Sequence, residues 1–360
     1  MPPKVRVSKG TSRSKVQTAS KGSKKTVATP ESLIEQGNVA LSRLEPELAV
    51  KFFSAALKLS PTDTNIMDAL ADVHIQVGDS DSALELLSQS TQLAPSENSV
   101  KWLYLAQLRE GDEALLCYRT GIRLLEETEA AAGDRGDPQS ADSTKKQISR
   151  AYCSIAELFL TDLCYDDGAE NSCEAAVQDS LRFDAGNLET YQTLASLRLS
   201  QCRGQEASEV ILRVVHQVLE VRERLHRRTL AADLTAQDGA ETELDVPTVE
   251  ASTATVKLCL ECVPFNTQLA QAAVALTNNL LAEDDEVIEL WYLLGLASQQ
   301  LPDPDLVGAV DALEMAKELL EQIREQIRLE GGGVDSSSSN SSSSNSDAGG
   351  HSQGGLAPDK

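Results

Sequence analysis

Aromatic side chains are scarce in this sequence, only 4% of 360 residues. The apolar content is carried by Leu and Ala, which suit helices packed on helices better than the β-branched and aromatic residues that fill sheets. Long apolar runs are missing as well. Leu269–Ala282, among the most apolar stretches, is interrupted by Gln and Asn and falls short of the roughly 20 residues a helix needs to cross a bilayer. No apolar signal peptide stands near Met1, and the seven cysteines form an odd, irregularly spaced set. Together these features predict reduced thiols and residence in the cytoplasm and nucleus.

Positive charge is the other shortage. The chain has 32 Lys and Arg against 56 Asp and Glu, a net charge of −24. Eight of the basic residues precede residue 31, where there is no acid, so residues 31–360 hold 24 basic and 56 acidic groups, a net of −32. Such a body repels nucleic acid and anionic membranes, and it attracts basic partners and speeds their encounter. Direct nucleic-acid binding and membrane association are therefore not expected. On charge alone, an acidic surface kept for solubility explains the numbers equally well.

Catalytic signatures are absent too. The sequence has no phosphate-binding loop, nucleophile elbow or metalloprotease motif, and His74, His216, His226 and His351 are scattered. Cys259 and Cys262 form one C-x-x-C, but zinc needs four ligands and a thioredoxin-type pair needs a βαβ setting. They read as buried structural thiols. The expectation is a protein with no catalytic residues, metal or cofactor.

What the sequence does contain is a repeat. Gly37, Ala49, Phe53, Ala56 and Pro61 are followed 34 residues later by Ala71, Ala83, Leu87, Ser90 and Pro95. Small residues where two helices cross, a larger apolar residue between them and a closing Pro form the tetratricopeptide-repeat (TPR) pattern. Further units follow from Trp102, Leu105 and Ala106; from Ser154 to Asn187; from Tyr191, Leu194 and Ala195; around Ala254–Glu286; and from Trp291, Leu294 and Gly295. The fold class is all-α, a TPR superhelical solenoid of about seven helix-turn-helix units over residues 30–330. Insert loops are expected near 131–144 and 235–247. A disordered basic tail, 1–29, and a disordered Gly/Ser/Asn tail, 331–360, flank the array.

In a TPR array the first helices of successive units line a groove. The register assigns to it Glu31 and Asn38 from unit one, with Asn65, Asp68 and Asp72 from unit two. Asp162 and Asp166 are the candidates from unit four, Glu189 and Gln192 from unit five, and Glu289 and Tyr292 from unit seven. Carboxylates and amides at these positions suit an extended segment rich in Lys and Arg, the charges held by the former and the backbone by the latter. Solvated helix faces are the plain alternative. TPR clamps for acidic chaperone tails carry Lys where this chain has Ile34, four residues before Asn38, so that use is disfavoured.

The layout carries a closer likeness. A basic tail leads into Thr29-Pro30-Glu31-Ser32-Leu33, and the first unit ends Ala55-Ala56-Leu57-Lys58-Leu59-Ser60-Pro61. The acidic, interrupted array closes on Leu290-Trp291-Tyr292-Leu293-Leu294-Gly295. This resembles the fungal dedicated assembly chaperones of large-subunit ribosomal protein L-four. The resemblance implies a monomeric chaperone whose groove embraces the long basic loop of newly made L-four and escorts it to the nucleus for large-subunit assembly. A TPR scaffold subunit of a larger complex is the alternative reading.

Overall fold

The computed structural model describes residues 29–135, 137–232 and 246–331. All regular secondary structure among them is helical, in fourteen helices. They fall into two compact bodies divided between Ala131 and Ala132. The first body holds α1 (Pro30–Ser42), α2 (Pro46–Leu59), α3 (Thr64–Gln76), α4 (Ser80–Leu93), α5 (Ser99–Gln107) and most of α6 (Gly111–Arg135). The second holds α7 (Pro138–Leu160), α8 (Ala169–Phe183), α9 (Leu188–Ser200) and α10 (Gly204–Ala232). It continues through α11 (Val249–Cys262), α12 (Gln268–Leu281), α13 (Ile288–Gln299) and α14 (Leu306–Gly331).

Helix starts follow the local chemistry. Thr29 accepts a bond from Ser32 N at 3.3 Å ahead of Pro30. Asp63 accepts from Asn65 N at 3.0 Å, and Asp79 accepts from Ser82 N at 3.1 Å. These caps satisfy amide groups that the first helical turn leaves without a partner. Aromatic residues fasten several turns to the helix that follows. Trp102 Nε1 donates to Pro95 O at 3.0 Å, Tyr191 Oη to Ala185 O at 3.1 Å and Trp291 Nε1 to Asp285 O at 2.7 Å. Units three, five and seven thus share a device that composition alone does not reveal.

Small residues stand where the paired helices cross. A Cβ on Gly37 would lie 2.8 Å from two atoms of the Phe53 ring, and one on Gly295 would lie 2.7 Å from Leu313 Cγ. Phe53, with Ala40, Ala49, Leu70 and Val73, fills the interior of the first two pairs. In the second body one apolar cluster runs from Ala195 through Ile211, Cys259, Leu269 and Leu276 to Leu290 and Ala297. Full burial of each large side chain contributes about 1.5–3 kcal/mol.

The segment near 131–144 departs from the expected loop. α6 continues to Arg135 and α7 begins at Pro138. Asp137 caps α7 by accepting from Ser140 N at 3.1 Å, and Pro138 occupies the first turn, where its missing N–H costs nothing. Asp137-Pro138, inside the expected loop, is a helix start. Unit four accordingly begins at Pro138, well before Ser154. The second expected insert, 235–247, and both tails lie largely outside the described residues. Among the described residues, no helix is long and apolar enough to cross a membrane.

Candidate functional site

In the first body, α3 and α5 face each other across an open recess of ≈ 350 Å³. Asn65, Asp68 and Asp72 line one side, and Val100, Lys101 and Tyr104 line the other. The three α3 residues expected in the groove are thus brought together. Their carboxylates are partly engaged already. Asp68 Oδ1 accepts from Ser90 Oγ at 2.5 Å and Oδ2 from Asn98 Nδ2 at 2.7 Å. Asp72 Oδ2 accepts from Gln76 Nε2 at 3.0 Å. Burial first, and then the charge and hydrogen bond of Asp72, push the Tyr104 phenol above its ordinary range.

Lys101 is the surprise of this wall. Its side chain is 1% exposed, with Nζ 3.2 Å from Ser90 O and 3.3 Å from Ser90 Oγ. Ser90 stands where the first unit has Ala56, and it links the buried ammonium to Asp68. The first body therefore supplies one cation of its own beneath its carboxylates. A basic residue one turn before the buried Leu105 was the available signal. Glu31 and Asn38 remain exposed on α1. Backbone and Thr29 hydrogen bonds at the helix start hold the Glu31 carboxyl below its usual range.

In the second body the first helices of successive pairs pack side by side, α7 on α9, α9 on α11 and α11 on α13. Gln192 locks two of them. Its Nε2 donates to Ala251 O at 2.8 Å and to Thr255 Oγ1 at 2.6 Å. The amide expected to hold a ligand backbone holds α11 instead. Beside it a recess of ≈ 380 Å³ opens between α7, α9 and α11. Leu160, Ala254 and Leu258 line its apolar part, and Glu157 and Glu261 supply carboxylates.

Glu157 is an acid of this wall that is exposed at the rim yet close to neighbouring groups. The protein packed around its carboxyl pushes its pKa up, the nearby charge of Glu189 adds to the shift, and the Thr193 hydroxyl partly offsets it. That hydroxyl sits 3.0 Å from Glu189 O and 3.4 Å from Glu157 Oε1. Farther along, Lys257 Nζ lies 2.6 Å from Glu289 Oε1. Tyr292 is 50% exposed on α13, open to a ligand. Glu157 and Glu261 thus share a recess with Lys257, which pairs with Glu289, while Glu189 lines the neighbouring recess with Arg150.

Asp162 and Asp166 are placed differently. Both lie exposed in the turn between α7 and α8, after the end of the first helix. α7 is 23 residues long and starts early, so its wall residue is Glu157, one turn before Thr161. Glu157, Lys257 and Glu261 escaped the sequence reading for that reason and because unit six is degenerate.

Five of the seven thiols are core groups. Burial raises the pKa of Cys153 to about 12 and of Cys173 and Cys262 to about 11. Cys259 is pushed up as well, by burial and then by Cys262. Among the described residues, no group of His, Cys, Asp or Glu is arranged to hold a metal ion.

No protein-family model matches the chain. Two curated proteins described as "Probable assembly chaperone of rpl4" are similar to it. The one from Schizosaccharomyces pombe is 32% identical over 246 residues, covering 67% of this chain and 65% of its own length. The one from Emericella nidulans is 25% identical over 288 residues, covering 76% and 66%. The chain therefore spans just under two thirds of these relatives' own lengths. A solved structure titled assembly chaperone of RpL4 (residues 1–338) matches with a TM-score of 0.60 at 22% identity, over 83% of this chain and 99% of that one. At that identity the match speaks to the fold. This chain shares its fold of stacked helix pairs with that structure, and its sequence resembles the assembly chaperones of rpl4.

Proposed function

We propose that this protein is a dedicated chaperone, not an enzyme, that holds newly made large-subunit ribosomal protein L-four and delivers it to ribosome assembly. The observation that carries this reading is the wall of the second body, where Glu157 and Glu261 open onto one recess and its lysine, Lys257, is engaged by Glu289. Such a wall attracts an extended segment rich in Lys and Arg, and the similar proteins are named for the same client. L-four binds through its long basic loop, whose charge the wall neutralises during transit from cytoplasm to nucleus. One exposed ion pair contributes only ~0.2–1 kcal/mol, so retention needs contacts along much of the array. The chaperone works as a monomer and touches no nucleic acid.

Affinity purification of the tagged full chain at low salt, followed by mass spectrometry, tests the reading. The expected result is one dominant basic ribosomal protein, L-four, that dissociates as ionic strength rises and exposed charges are screened. Recovery of a stable multi-subunit assembly without L-four would overturn it in favour of a scaffold subunit.

A further inference from the structure

We propose, resting on that client reading, that the recess between α7, α9 and α11 is a subsite for the side chain of a client arginine. Its apolar part, Leu160, Ala254 and Leu258, offers a surface for the aliphatic stem and one flat face of the guanidinium. Glu157 and Glu261 belong to different helices and meet at the same opening, so a planar group with five donors can reach both. A guanidinium is less strongly hydrated than an ammonium and tolerates apolar contact better.

The chain's own lysine supports that choice. Lys257 lines the recess, yet its ammonium lies 2.6 Å from the exposed Glu289 carboxylate on α13. Lys257 is engaged by Glu289, and among the described residues Glu157 and Glu261 make no close ion pair in the recess. Glu157 is also crowded and opposed by Glu189. A fixed positive charge in the recess offsets that repulsion. The apolar part and the charge of the rim together select the occupant.

The full chain, isotope-labelled at its Leu methyls, is titrated with Nα-acetyl-arginine methylamide, its lysine counterpart and its neutral citrulline counterpart. The arginine probe is expected to shift the Leu160 and Leu258 resonances in a saturable way. Citrulline should bind about tenfold more weakly, and the Glu157→Gln/Glu261→Gln variant should lose a similar factor for arginine, as befits hydrogen bonds to a charged group. Absence of saturable shifts at Leu160 and Leu258, or equal binding of all three probes, overturns the subsite. The same variant is then tested for capture of purified L-four. Capture at wild-type strength refutes the subsite and leaves the chaperone reading intact. Failure of the wild-type protein to capture L-four, with arginine still seated in the recess, removes the client reading alone.

Discussion

Arg222 makes the sharpest stability prediction. It sits on α10 with 3% of its surface exposed, and its guanidinium ties three segments together. Nη1 donates to Glu283 Oε1 at 2.6 Å, Nη2 to Pro247 O at 2.9 Å, and Nε and Nη2 lie 3.2 and 3.0 Å from Ser252 Oγ. Arg222→Met keeps most of the stem's packing and deletes every one of these bonds. The Ser252 hydroxyl is fully buried, so stranding it costs about 1–3 kcal/mol. Pro247 is half-buried and loses less. The Glu283 side chain is 45% exposed and can turn to water, so its share is about 0.5–1 kcal/mol. The sum is about 2–4 kcal/mol, near the lower end of the range for breaking a buried ion pair. The loss should be local, because stacked pairs depend on their neighbours. Hydrogen exchange should accelerate at the start of α11 while α3 and α4 keep their protection. A double-mutant cycle with Glu283→Gln should return a coupling below about 1 kcal/mol, and one with Ser252→Ala a larger value. Unchanged exchange in α11, or a dominant Glu283 coupling, would refute this partition.

Four other outcomes follow from the same structure. Gly37→Ala drives a methyl into the Phe53 ring, itself 1% exposed, and should cost about 1–3 kcal/mol in denaturant titrations. Ser90→Ala removes a partner from both Lys101 and Asp68; a loss of about 1–3 kcal/mol is expected, and a neutral result would mean that water replaces the hydroxyl. Glu157→Gln should raise the melting temperature at neutral pH while weakening retention of a basic client. Because the folded carboxyl titrates above its ordinary value, wild-type stability falls as pH rises through that raised pKa. The variant's advantage should therefore vanish below about pH 4, where the carboxyl is protonated in both states. Lys257→Ala frees Glu289 and should slow dissociation of L-four about twofold to fivefold at low salt, an effect that surface plasmon resonance can read.

The helical fold and its pairing were legible because the 34-residue spacing of small residues and proline reports a packing constraint directly. Pro61 and Pro95 do follow the ends of α2 and α4. The middle of the array was less legible because local signals there have two meanings. Asp137-Pro138 breaks one helix and starts another, and reading only the break displaced the first helix of unit four. That shift put Asp162 and Asp166 in the wall in place of Glu157. Asp68 and Asp72 line the recess of the first body, and Glu189 lines one of the second, in units whose registers Ala71 and Tyr191 anchor. Gln192 bonds to α11 in place of a ligand backbone, because sequence does not show that Ala251 O and Thr255 Oγ1 wait across the gap. Lys101 was missed because a buried ammonium depends on Ser90, eleven residues away.

The cysteines give the chain a set of internal clocks. Cys117 belongs to the third pair, Cys153 and Cys173 to the fourth, and Cys259 and Cys262 to the sixth, all of them buried. A thiol reagent reaches each only when its own pair opens, so modification rates resolved by residue measure opening free energies pair by pair. Cys164 and Cys202, exposed in turns of the second body, react without any opening and calibrate the scale. The gradient of those rates, with and without a bound polypeptide, would reveal which pairs a client splints.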